Sequence, residues 1–162
     1  MSIKELLNKY IKENLEPQKK EKKLFGDYLC ASECSFDKSS IEDFIDKNKE
    51  DNKFQKLLFK YIDRSNLKDS DVYNSVNIDR RLFSKIRSDE NYHPSKETVI
   101  LLGIALKLNE DELLSLLESA SYSLPKNNVY DLIIRFCFIN AIYNINDINE
   151  LLYEHKCKLL NN

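Results

Sequence analysis

Glycine is nearly missing from this chain, with Gly26 and Gly103 the only two among 162 residues. Proline is almost as scarce, with three, and there is one methionine and no tryptophan. Tight hairpins use residues at positive φ, and phosphate-cradling loops bring the backbone against a ligand, so both lean on glycine. A β-sandwich, a Rossmann unit and a P-loop therefore fit the composition poorly. No apolar run approaches 18 residues, and no membrane span is expected. Charge of one sign is also lacking: 25 basic residues face 27 acidic ones, a net charge of −2. A histone-like basic protein is excluded, and any nucleic-acid contact has to come from a local patch.

Residues 1–15 carry Lys4, Glu5, Lys9, Lys12 and Glu13 between their apolar positions. They lack the uninterrupted apolar core of a signal peptide, and a cytoplasmic protein is expected. Its four cysteines, Cys30, Cys34, Cys137 and Cys157, then read as reduced thiols. Lysine outnumbers arginine 20 to 5, a usage that fits a low-GC bacterial or phage genome. Against that background, clustered arginine carries information.

What the sequence does contain is helical spacing. Ile3, Leu6, Leu7, Tyr10 and Ile11 form one stripe, and Ser2 with Glu5 makes the capping box that would start it. Pro17 and the charged run over 18–23 read as a linker. Helices are expected over 24–33 and over 39–47, the second capped by Ser39 with Glu42. From Phe54 the amphipathic signal sharpens. Phe54, Leu57, Leu58, Tyr61 and Ile62 make one helix, and Asp69 or Ser70 is expected to cap a short one through Val76. Asn77 breaks the chain, since Asn tolerates a left-handed conformation. Further helices are expected over 79–87, 96–108, 109–120, 129–141 and 147–154. The predicted fold is all-α, with accessory helices over 1–53, a helix bundle over 54–124 and a helical extension over 125–162.

The informative segment is Asp79–Arg87. Leu82, Phe83 and Ile86 can point inward, leaving Arg80, Arg81, Ser84, Lys85 and Arg87 outward. Residues 80–87 hold four positive charges and no negative one, and three of the five arginines in the chain. Val72-Tyr73, Asn77, Ile78, Asp79 and Phe83-Ser84 stand in the register of a known pattern, followed by Pro94-Ser95, Thr98 and Asn109 to Leu114. Over roughly 54–120 the chain resembles the lambda-repressor-like, or XRE-type, helix-turn-helix family. Residues 54–122 are also similar to helical tails that follow macrodomains in low-GC bacteria. The first resemblance implies a helix-turn-helix bundle and a transcription regulator that binds double-stranded DNA. It places Asp79, Arg80, Arg81, Ser84 and Lys85 toward the major groove, with Ser70 and Lys85 at phosphate and Arg87 on the same basic face. Tyr73 stands where that family has a small residue, which implies a wider helix pair.

Other chemistry finds little support. Cys30 and Cys34 are four apart, a spacing that puts two ligands on one helical face, and His155 and Cys157 offer two more. The compact zinc spacings are absent, so idle thiols are the better reading and no metal or cofactor is expected. His93 and His155 stand beside no nucleophile motif, and acid pairs such as Glu110-Asp111 sit where first turns favour negative charge. No enzyme is expected. The apolar stripe from Leu132 through Leu152 predicts either packing on the bundle or a homodimer, which a twofold-symmetric DNA reader needs. The alternative reading is a helical protein-interaction adaptor that touches no nucleic acid, in phage defence or stress response. In either case residues 1–53 offer a surface for protein partners.

Overall fold

The computed structural model describes residues 2–16, 53–89 and 91–160. The helices expected over 24–33 and 39–47, with Cys30 and Cys34, lie outside the described residues. Eight helices and no strand occur among those described: α1 (Ile3–Asn14), α2 (Lys53–Ser65), α3 (Asp69–Ser75), α4 (Arg80–Ser88), α5 (Lys96–Ala105), α6 (Glu110–Ser119), α7 (Val129–Ile139) and α8 (Ile145–Glu154). The all-α expectation holds for these residues, and no helix among them is long and apolar enough to cross a membrane.

The core is built around α5. Beyond its first turn its sequence is apolar on every side, and Thr98 through Ala105 are all buried. Such a helix has no solvent face and is stable only when neighbours surround it. Gly103 marks the tightest approach: a Cβ there would meet Leu113 Cδ1 at 2.8 Å and the Phe138 ring at 3.3 Å. Glycine is therefore needed here for closeness to α6 and α7. Ser95 starts α5 by accepting from the Thr98 N–H at 3.2 Å. A reciprocal capping box does the same for α6, with Asn109 and Glu112 bonding each other's backbone N–H at 2.9 and 3.1 Å.

Most of the C-terminal apolar stripe is spent inside its own chain, though Ile139 stays 49% exposed. Leu132, Ile133, Ile134, Phe136, Cys137 and Phe138 of α7 are all buried. Helix α1 lies against this part of the molecule. Leu7 is fully buried, the Tyr10 ring meets Phe136 at 5.5 Å, and the Glu16 N–H donates to Lys126 O at 2.9 Å. Lys4 pairs with Glu150 and Glu154 of α8, and those hydrogen bonds hold its ammonium pKa above the usual lysine range. Only one charge is deeply buried among the described residues. Asp131 is 2% exposed and is satisfied by Lys96 Nζ and Asn128 Nδ2, each at 2.6 Å.

Five helix ends share one device. After α3, α5, α6, α7 and α8 the residues Asn77, Lys107, Ser121, Ala141 and Lys156 take positive φ. The next residue, Ile78, Leu108, Tyr122, Ile142 or Cys157, returns its N–H to a carbonyl five residues back. These are Schellman motifs, the usual home of glycine. Here an apolar residue packed just beyond the turn holds each of them, and glycine is dispensed with.

Boundaries moved where a cap differed from the expected one. Helix α3 begins at Asp69 with Lys68 at the cap position, where Asp71 accepts from the Lys68 N–H at 3.4 Å, so neither Asp69 nor Ser70 is the cap. Helix α8 begins at Ile145, two residues before the expected Asp147, because Asn144 caps it by accepting from the Asn146 N–H at 2.9 Å. Helices α5 and α7 end before the left-handed Lys107 and Ala141.

Candidate nucleic-acid interface

The basic segment forms α4 one residue later than expected, at Arg80–Ser88, with Asp79 outside it. Asp79 Oδ1 accepts from the Arg81 N–H at 2.7 Å and from the Leu82 N–H at 3.4 Å. A carboxylate there satisfies two of the four amides that every helix start leaves without partners. Asp79 therefore acts as the N-cap of α4. One face of α4 is anchored by Phe83 and Ile86, both buried, with Leu82 half-buried beside them. Tyr73 of α3 is accommodated at this contact: its ring stacks at 49° on Phe83 with centroids 5.5 Å apart.

The opposite face holds Arg80, Arg81, Ser84 and Lys85, all exposed. Helical spacing places Ser84 one turn beyond Arg80 and Lys85 one turn beyond Arg81, so the four form one exposed double row. The guanidinium groups of Arg80 and Arg81 have no acid or hydrogen-bond partner among the described residues. Lys85 lies with Nζ 4.7 Å from the centre of the Tyr92 ring. Arg87 is differently placed. Its guanidinium stacks 4.3 Å above Phe59 of α2, and Nη2 meets Asp69 of α3 at 2.7 Å. It joins three helices at one point. Ser70 is also away from the row, half-buried on α3 with its hydroxyl 3.4 Å from Asp71 Oδ1.

Of the seven residues expected at the interface, the structure thus groups four. Asp79 caps, Arg87 clasps, and Ser70 sits in an acidic first turn with Asp69 and Asp71. Residues that sequence reasoning did not single out surround α4. Gln55 Nε2 donates to Ile86 O at 2.6 Å and to Asp89 O at 2.9 Å. Gln55 and Phe59 are neighbours of α4 in space but not in sequence, and nothing in their local pattern marks them as its partners.

The remaining chemistry-bearing groups are engaged structurally. His93 packs edge-on against Tyr122, and His155 bridges Leu151 O and Asn8 Oδ1 at 2.9 and 3.1 Å. Burial pushes the Cys137 thiol up to about 12, so it holds its proton at neutral pH. Among the described residues no group of three His, Cys, Asp or Glu side chains stands close enough to hold a metal ion. An open groove of about 520 Å³ lies where the turns after α3, α5 and α7 meet, lined by Ser75, Asn77, Lys107 and residues 141 and 143–146. Its lining contains no Cys, His, Asp or Glu. No family model, curated protein or solved structure matches the chain.

Proposed function

We propose that the chain is a DNA-binding regulator of the helix-turn-helix kind and that the row Arg80, Arg81, Ser84 and Lys85 meets double-stranded DNA. One observation carries the reading: two adjacent guanidinium groups stand exposed on the first turn of α4, unpaired among the described residues, on a helix whose other face is buried. A free guanidinium can bond guanine O6 and N7 at once, and an exposed helix fits the width of the major groove. The order of α2 to α6 supports the same bundle type, with α3 and α4, of 7 and 9 residues, following the 13-residue α2. Asp79 does not oppose this role, because its carboxylate turns back onto the α4 amides. Most of the stripe that suggested a homodimer is buried within one chain, with Ile139 left exposed, and the reading rests on α4 alone.

The test is a mobility-shift selection from random duplex pools at two salt concentrations. Arg80→Ala and Arg81→Ala should each relax preference at one base pair, a discrimination of about 1–3 kcal/mol. Lys85→Ala should weaken all sequences alike and lower the salt slope by about one counterion. Binding unchanged in all three variants, with the fold intact, would refute the reading. The adaptor reading draws on one contrary observation: Arg87 of α4 is already paired with Asp69 of α3, so part of the basic charge of α4 is neutralised within the chain. Absence of duplex binding even at low salt would put it first.

A further inference from the structure

Helix α4 ends unlike its neighbours. The helices before and after it close in Schellman turns, which return backbone N–H groups to the last carbonyls. After α4, Asp89 takes φ −109° and ψ 102°, an extended conformation, and no such turn forms. The Asp89 N–H reaches Lys85 O and the Tyr92 N–H reaches Asp89 O, each at 3.0 Å, but Ile86 O needs another donor, because the final four C=O groups of a helix have no partner within it. That donor comes from α2, 31 residues earlier. The Gln55 amide bonds both Ile86 O and Asp89 O, at 2.6 and 2.9 Å, and so uses both of its N–H groups on the end of α4. One turn further along α2, Phe59 supports the Arg87 guanidinium that Asp69 holds from α3.

We infer that Gln55 is a positioning residue for the basic row: it caps α4 from α2 and, with the Arg87 clasp on Phe59 and Asp69, fixes the direction in which Arg80, Arg81 and Lys85 point. The physical need is plain. Only two α4 side chains are fully buried, and a helix held by so little apolar contact can swivel. A row that swivels still attracts phosphates, which sets non-specific affinity, but it cannot hold two guanidinium groups on base edges at once. The functional half of this inference rests on the DNA reading, whereas the capping half does not.

The experiment uses the full chain and three variants, Gln55→Ala, Gln55→Glu and Gln55→Lys. Lysine keeps a donor that can reach helix carbonyls, alanine removes it, and glutamate sets an acceptor against acceptors. In Gln55→Ala and Gln55→Glu, amide hydrogen exchange over residues 86–92 should speed by about tenfold, with α5 to α8 unchanged. The ratio of affinities for the selected duplex and for random duplex should fall by about tenfold, with the random-duplex salt slope constant. Gln55→Lys should restore both. A merely structural glutamine would lower Tm and speed exchange in every helix while leaving the ratio intact, and that result overturns the inference. If wild-type protein binds no duplex, the DNA reading falls, and local exchange with its rescue by lysine decides the capping role alone.

Discussion

Helices α4 and α5 are nearly equal in length and follow one another in the chain, yet they are held by different forces. Helix α5 buries eight consecutive residues, Thr98 to Ala105, and makes no exposed row. Helix α4 buries only Phe83 and Ile86, and what fixes it is polar: the Asp79 cap at one end, Gln55 and Arg87 at the other. Apolar burial is non-directional and adds up with area, so α5 contributes stability without caring how any one side chain is turned. Hydrogen bonds are directional and individually modest, so they set the angle of α4 more than they stabilise the fold. Stability and presentation are therefore separable in this bundle.

The strongest way to break that comparison is in the core. Leu102→Ala removes a fully buried side chain of α5 and should cost about 2–5 kcal/mol by chemical denaturation. Arg80→Ala, on the exposed face of α4, should stay within about 0.5 kcal/mol of wild type. Equal losses would mean that α5 is not the fixed centre of the bundle.

Next is the polar tie between α5 and α7. Lys96→Met leaves the buried Asp131 carboxylate with Asn128 alone and should cost about 1–3 kcal/mol, since Lys96 is itself partly solvated. Adding Asp131→Asn should recover part of the loss. Calorimetry that finds the single variant as stable as wild type would show the pair to be dispensable.

Glycine sharpens the contrast on a smaller scale. Ala141 holds φ at 53°, a region that costs an L-residue about 1–2 kcal/mol, so Ala141→Gly should stabilise by about 0.5–1 kcal/mol net of glycine's extra chain entropy. The same residue placed inside α4, Ser84→Gly, should destabilise by about 0.5–1 kcal/mol. Opposite signs are expected in one thermal melt series, and equal signs would contradict the Schellman reading.

The smallest effect is the response to acid. Hydrogen bonds from Arg64 to Glu112 and from Lys158 to Glu97 hold both carboxyls below their ordinary range. A lowered folded pKa means that the unfolded chain binds protons first, so these pairs stabilise above about pH 4–5 and stop doing so as pH falls through the folded values. Tm should therefore decline below about pH 5, and Glu112→Gln should shallow that decline. An unaltered pH profile in the variant would remove Glu112 from the account.

Much of the helix map was legible because its signals are local. Ser2 with Glu5, Ser95, and Asn109 with Glu112 cap where their spacing indicated, since a cap bonds amides only two or three residues away. The inward pair Phe83 and Ile86 followed from the 3.6-residue period in the same way. At Asp79 a second local rule operates as well, because a carboxylate just before a first turn caps it. Ends at Lys107 and Ala141 were missed because neither residue favours positive φ. The apolar residue that follows each is the signal that was present.

By itself, then, the sequence determined that this chain makes helices, where most of them start, and that its arginines cluster on one of them. Each of these is written in contacts a few residues long. The tertiary structure alone decided which of those charges remain free. Arg87 meets Asp69, 18 positions away, and α4 is capped by Gln55 over a separation of 31. Most of the apolar stripe of α7 was filled by its own chain, with Tyr10 of α1 closing on Phe136. Such pairings depend on how helices cross, which is fixed by packing of the whole core and leaves no mark in the spacing of either partner.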